Sequence, residues 1–285
     1  MDLKELRQEI DQIDDQLVRL FCQRMEVSAR IADYKKENDL PIFAPMREQE
    51  KLLDVAQKAG PDMEVYTKVL YSMLFELSRG YQSKRNAART ALYHRINEAI
   101  SATAKMLPKD CAVACMLTDD AQMVCQKMFG NSSILTFKNT EGILSAVAQG
   151  LCRYGILPVE NMKQLYDLFD QQQLYIVRSF RIRGGSQFIC ISRQLEIYPG
   201  ADHSSICMAL SDRPGALYKV LSRLYTLGIN VVRLESRPIP QESFQAMFYF
   251  DLETSVYSDE FVQLICELDD LCEDFSYLGS YSEVV

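Results

Sequence analysis

LRQEIDQIDDQLVRLFCQRMEVSARIADYKK, residues 6–36, decides the fold of the first part of the chain. Together with Leu3, its apolar residues recur at alternating three- and four-residue steps: Leu6, Ile10, Ile13, Leu17, Leu20, Val27, Ile31 and Tyr34. That spacing writes one stripe on an α-helix and predicts a single long helix over 2–38 with a packed seam. Arg24 falls on the seam where an apolar residue belongs, and a charge there is costly to desolvate unless an anion meets it. Lys35 lies close to three turns further on, so the two share a face ~16 Å apart along the axis. Arg7 differs, because its separation from Arg24 is ~25 Å along the same rod. It can join Arg24 only from a second copy running antiparallel, which implies an intertwined dimer whose pockets are built from two chains. The ordinary use of helix cations is a solvated face or an i,i+4 pair. Arg7 or Lys35 taken alone would fit that reading.

Outward from this helix, Pro41 and Pro45 bracket a short connection. A second helix is expected from Pro45, favourable at a first helical position, to Gly60, a natural stop. A third is expected from Asp62 to about Arg89, with a pattern that can extend toward Lys105. MREQEKLL, residues 46–53, puts Arg47 and Glu48 in the first turn of helix two. LFELSRGYQ, residues 74–82, puts Ser78 and Gln82 on one face of helix three. A pocket drawn from these residues holds several cations, one carboxylate and two neutral polar groups. It suits preorganised binding of a dianion and not proton shuttling.

From Cys111 the pattern changes. Strand-like runs at 113–117, 134–137, 154–159, 175–182 and 188–192 alternate with helical stretches at 119–129, 140–150 and 162–171, which reads as an α/β layer. After Pro199-Gly200 the order becomes βαββαβ: strands at 206–210, 229–237, 245–253 and 275–281, helices at 214–227 and 258–270. This is the ferredoxin-like split arrangement. The expected organisation is an all-α three-helix domain over 1–90, a helical linker over 91–110, a reduced α/β domain over 111–202 and a ferredoxin-like domain over 203–285.

Composition excludes several classes of function. The net charge is −8, which argues against nucleic acid as a partner. No run approaches the apolar length of a membrane span. The N-terminus is charged from its second residue, so a cytoplasmic location is expected. Nine cysteines lie scattered without a CxxC pair, and only His94 and His203 occur. Buried thiols are expected, with no metal site and no cofactor.

The three quoted helical stretches resemble the all-helical chorismate mutase family, in the form fused to prephenate dehydratase. The resemblance covers residues 3–89, and Arg7, Arg24, Lys35, Arg47, Glu48, Ser78 and Gln82 match its active-site pattern. Ala44 departs from it, since many relatives carry an Asp there that orients a neighbour. The resemblance implies that chorismate, which has two carboxylates, rearranges to prephenate without a proton moving. It implies Arg24 and the partner copy's Arg7 on the carboxylates with Arg47 assisting. Lys35 and Gln82 would meet the ether oxygen, Glu48 the ring hydroxyl and Ser78 a carboxylate.

YGILPVEN at 154–161, with FKNTEGILSAVAQG before it and LYDLF after it, resembles prephenate dehydratase. Three departures follow. MLTDDAQ, residues 116–122, stands where the family has a glycine-rich substrate turn. Ser186-Gln187-Phe188 stands for a Thr-Arg-Phe motif, and the chain is too short for a second lobe. Glu160, Asn161 and Ser186 are therefore read as vestiges, and dehydratase activity is not expected. RPGALYKVL at 213–221, GIN at 228–230 and ESRPI at 235–239 resemble the ACT domain of phenylalanine-regulated dehydratases. That implies an effector site at Gly215, Ala216, Leu217, Asn230, Glu235, Ser236, Arg237 and Pro238, with phenylalanine as ligand. The helix opening at Gly215 offers unpaired N–H groups to a carboxylate. ACT folds also serve as dimerisation modules without a ligand. The expected protein is thus a homodimeric chorismate mutase in aromatic amino acid biosynthesis, inhibited by phenylalanine. Two rivals remain: a bifunctional mutase/dehydratase, and a non-catalytic amino-acid-sensing subunit that binds another pathway enzyme.

Overall fold

A computed structural model describes residues 2–284 except 39, 42–43, 87–89, 131, 161–171, 183–184, 212, 240–244 and 272–273. The chain divides into two compact units, Met1–Ala88 and Arg89–Val285.

The first unit is three helices. α1 spans Leu3–Glu37 and starts at a capping box, in which Asp2 accepts from the Glu5 amide and Glu5 from the Asp2 amide. α2 spans Pro45–Ala59 and stops at Gly60, whose φ of 78° suits glycine. α3 spans Glu64–Asn86 and packs on both other helices. Their joint core is small. Among the described residues, the only apolar side chains it buries are Ala29, Ala32, Val55 and Ala56. The seam of α1 is uncovered within the protomer: Ile10 is 56% exposed, Ile13 62% and Leu20 62%. On α3, Val65, Tyr66, Val69 and Leu70 are exposed too.

The second unit opens with α4, Ala91–Ala102, capped by Thr90. The helical pattern expected to run on from helix three is therefore interrupted at Thr90, whose backbone is extended. The expected linker is instead an element whose Leu92, Ile96 and Ala99 are buried in a core. Next come β1 (Ala112–Met116), α5 (Asp119–Phe129), β2 (Ser133–Phe137), α6 (Thr140–Ala148), β3 (Tyr154–Pro158), β4 (Tyr175–Arg181) and β5 (Gln187–Ser192). The helix expected at 162–171 lies outside the described residues. β6 (His203–Ser211), α7 (Ala216–Thr226), β7 (Asn230–Pro238), β8 (Gln245–Glu253), α8 (Asp259–Leu271), β9 (Phe275–Tyr281) and β10 (Glu283–Val284) complete the chain.

A six-stranded mixed sheet has the order β10-β4-β5-β3-β1-β2. β1 runs parallel to β2 and β3, while β5 is antiparallel to β3 and β4. The two-residue alternation of β1 feeds both faces. Val113 and Cys115 pack with Phe129 of α5, and Ala114 packs with Ile143 and Leu144 of α6. β10 belongs to this sheet, parallel to β4, although it follows the C-terminal strands in sequence.

The second sheet is antiparallel, with the order β7-β8-β6-β9, which is the ferredoxin-like order. One face carries α4, α7 and α8 around Ile206, Phe250, Phe261 and Leu264. The other face brings Cys207, Tyr249, Leu278 and Tyr281 into a shared core with Ile176 and Ile189 of the first sheet. Gly279 marks the contact. Its φ is 130°, and a Cβ there would stand 2.3 Å from the Ile176 carbonyl oxygen. No helix among the described residues is long and apolar enough to cross a membrane.

Candidate active site

Three helices meet around a cavity of about 480 Å³ in the first unit. Arg24 and Lys35 reach it from α1, Arg47 and Glu48 from the first turn of α2, and Ser78 and Gln82 from α3. Helical periodicity explains the convergence: Arg24 and Lys35 share a face of α1, and residues 78 and 82 lie one turn apart. Six of the seven residues picked from the sequence therefore line one space. Arg7 does not line it.

The Arg24 guanidinium donates to Ser78 Oγ and to the Leu74 carbonyl at 3.1 Å, and lies 5.7 Å from the centre of the Phe75 ring. The Ser78 hydroxyl donates back to Leu74 O at 2.7 Å. These bonds fix the planar fork before any ligand arrives. Burial lowers the pKa of Arg24, opposed by Tyr71 and Glu48. Burial likewise lowers that of Lys35, opposed by Glu48. Gln82 is buried, and its Nε2 donates to Ser28 Oγ at 2.8 Å, while its Oε1 has no hydrogen-bond partner. At the rim, Arg47 is exposed and 3.7 Å from Glu50. Lys51 is held by Asp54 at 2.6 Å, and hydrogen bonds from Lys51 and Lys58 draw the Asp54 carboxyl down to about 2.

Sequence reasoning missed Arg79. It is buried, lines the same cavity and pairs with Glu48 and, at 2.7 Å, with Glu76. Burial alone would lower its pKa, but the bond to Glu48 and the charge of Glu76 turn the net shift upward. The one signal available was Glu76 three residues earlier on the same helix, which reads equally well as a surface pair. Chemically, the cavity is a cationic socket with one carboxylate and three neutral polar groups, Ser28, Ser78 and Gln82. It can hold and polarise a small dianion.

In the second unit, Glu160 is exposed just beyond β3, and Ser186 immediately precedes β5. The β3–β5 register, with Pro158 opposite Phe188, carries both to the same end of the sheet. Asp119 and Asp120 occupy the first turn of α5 behind Thr118. Asn161 lies outside the described residues.

Gly215, with φ 89°, caps α7, and Ala216 and Leu217 form its first turn. Glu235, Ser236, Arg237 and Pro238 lie on β7, an outer strand of the second sheet. Asn230 begins that strand, and its amide donates to Glu253 at 2.8 Å. The registers put Pro238 and the end of β6 at one end of the sheet and Asn230 at the other. A nine-residue strand spans ~27 Å. The sequence grouped these residues as one effector site, but Asn230 and the α7 N-terminus lie too far apart in one protomer to touch one small ligand.

The chorismate mutase type II family model matches residues 6–83. The bifunctional chorismate mutase/prephenate dehydratase of Aquifex aeolicus is 23% identical over 381 aligned positions, taking in 100% of this chain and 99% of that protein. With 285 residues present here, about a quarter of those positions face gaps. The prephenate dehydratase structure from Streptococcus mutans is 23% identical with a TM-score of 0.50, covering 61% of this chain and 100% of that one. That of Arthrobacter aurescens, solved in complex with L-Phe, is 16% identical with a TM-score of 0.52, covering 60% and 90%. At such identities these likenesses speak for fold alone. Residues 6–83 are thus a chorismate mutase type II domain, and they head a chain related over its whole length to the bifunctional chorismate mutase/prephenate dehydratase.

Proposed function

We propose that the chain is a homodimeric chorismate mutase that phenylalanine inhibits through the C-terminal βαββαβ region, read as an ACT domain. The observation that carries the first half is the convergence of Arg24, Lys35, Arg47, Glu48, Ser78 and Gln82 on one cavity. The reaction is a pericyclic shift, so the protein has to freeze the compact conformer and stabilise charge as the ether bond breaks. Arg24, preset by Ser78, and Arg47 receive carboxylates. Lys35 and Gln82 face the ether oxygen, and Glu48 accepts the ring hydroxyl. Arg7 of the partner subunit completes the socket. The uncovered seam of α1 supports the dimer, since each Leu or Ile covered there would contribute about 1.5–3 kcal/mol.

Regulation is supported by the glycine-capped α7 and the ESRP stretch on β7. A dehydratase structure of related fold contains L-Phe, which favours the same effector here. If Asn230 and residues 215–217 serve one ligand, they do so from two copies. The test is chorismate consumption by the pure protein across a phenylalanine titration. Turnover that phenylalanine depresses is expected. A flat response removes the regulation, and absence of turnover removes the enzyme.

The bifunctional reading is favoured by one observation, the full-length likeness to the Aquifex protein. Against it stand the missing glycine turn, the serine at 186 and the gapped alignment. Incubation with prephenate at neutral pH separates the two: steady phenylpyruvate formation above the uncatalysed background would establish the second activity.

A further inference from the structure

We propose that Arg79 is a positioning residue that aims Glu48 and keeps it from capturing Lys35; this rests on the mutase reading above. The first turn of α2 carries Glu48 but has no side-chain cap, because Ala44 stands at the N-cap and makes no hydrogen bond from its side chain. No side chain of that cap reaches the Glu48 carboxylate, which meets its partner on another helix. Arg79 is that partner, binding Glu48 Oε1 from α3, and Glu76 on its own helix holds the other side of the guanidinium. A planar fork bridging two carboxylates fixes both direction and distance, as a flexible ammonium does not. The carboxylate's second oxygen is then the one presented to a hydroxyl.

Charge makes the same point. Glu48 acts electrostatically on Lys35 and on Arg24 from α1, and Arg47 and Lys51 stand beside it on α2. Arg79 stands at hydrogen-bond distance from Glu48. Without it, the nearest ammonium would be drawn to Glu48, and the donor needed at the ether oxygen would be diverted. Arg79 also lets Glu48 line a site for a dianion without repelling it.

A double-mutant cycle in the full chain tests this. Arg79→Met should lower kcat/KM about tenfold or more, raising KM through the hydroxyl contact, which is made in ground and transition states alike, and lowering kcat as Lys35 is drawn from the ether oxygen. Arg79→Lys should recover part of the loss. In a Glu48→Gln background, Arg79→Met should cost less than about twofold further, because its route of action is already gone. Should Arg79→Met fail to fold, Glu76→Gln substitutes for it, with a smaller KM rise that also vanishes in the Glu48→Gln background. Multiplying effects of the two substitutions, or an unchanged KM, overturn the inference while leaving the mutase intact. A wild-type chain without chorismate turnover sinks the mutase reading and this inference together.

Discussion

Lys35 supplies the charge that the proposed rearrangement calls for where the ether bond breaks. A donor aimed at developing negative charge is worth ~2.7–4 kcal/mol. Lys35→Ala should therefore lower kcat by about a hundredfold or more, with the oligomer unchanged by sedimentation; near-normal turnover would remove Lys35 from the chemistry. Protonation gives a second readout. Burial disfavours the charged ammonium, so Lys35 loses its proton below the ordinary value near 10.5. Activity should consequently fall on the alkaline side before a solvated lysine would titrate. Lys35→Arg should move that limb to higher pH, because guanidinium stays charged. At this scale, six side chains were legible because each broke a pattern or matched a motif: Arg24 lay on an apolar seam, and Arg47 and Glu48 opened a helix. Arg79 was illegible because an arginine three residues after a glutamate looks like any solvated pair. Its partner Glu48 stands on another helix.

Elements were read well where periodicity was long. α1 and the β1–α5 and β8 segments lie within a residue or two of their expected bounds. The misses have physical causes. The pattern of α3 can run on into α4 because apolar residues continue through 91–100, and the Thr90 cap, bonding the Tyr93 amide, marks the new start. β10 is two residues long, too short for any alternation to show. The packing of the two sheets depends on one glycine. Gly279→Ala would force a methyl against the Ile176 carbonyl at a φ that side chains avoid. It should destabilise the second unit by about 3 kcal/mol or more, read as a lower denaturant midpoint. Unchanged stability would show that the strands can part to admit it.

For the whole molecule, the question is whether a pocket needs two chains. Arg7→Ala and Arg24→Ala should each be nearly inactive. If Arg7 acts on the neighbour's cavity, a mixed dimer of the two variants contains one complete pocket and one doubly damaged pocket. Co-refolding equal amounts should restore about a quarter of wild-type activity, because half of the dimers are mixed and half of their pockets are whole. No recovery would place Arg7 outside the site. The sequence could argue for a second copy, as proposed, because seventeen residues of rigid helix cannot be folded back. It could not announce how the two sheets of the second unit share a core, since Cys207, Tyr249 and Ile176 carry no mark of their partners.

The tail strand β10 has a consequence of its own. It shields the outer side of β4, and Arg181 clasps Glu283 there at 2.9 Å. Clipping the final three residues would strip the pairing opposite Ser179 and Phe180 and leave that stretch of edge seeking partners. Such an edge recruits strands from neighbouring molecules. A trim that touches no proposed pocket would then show itself as turbidity, not as a slower reaction.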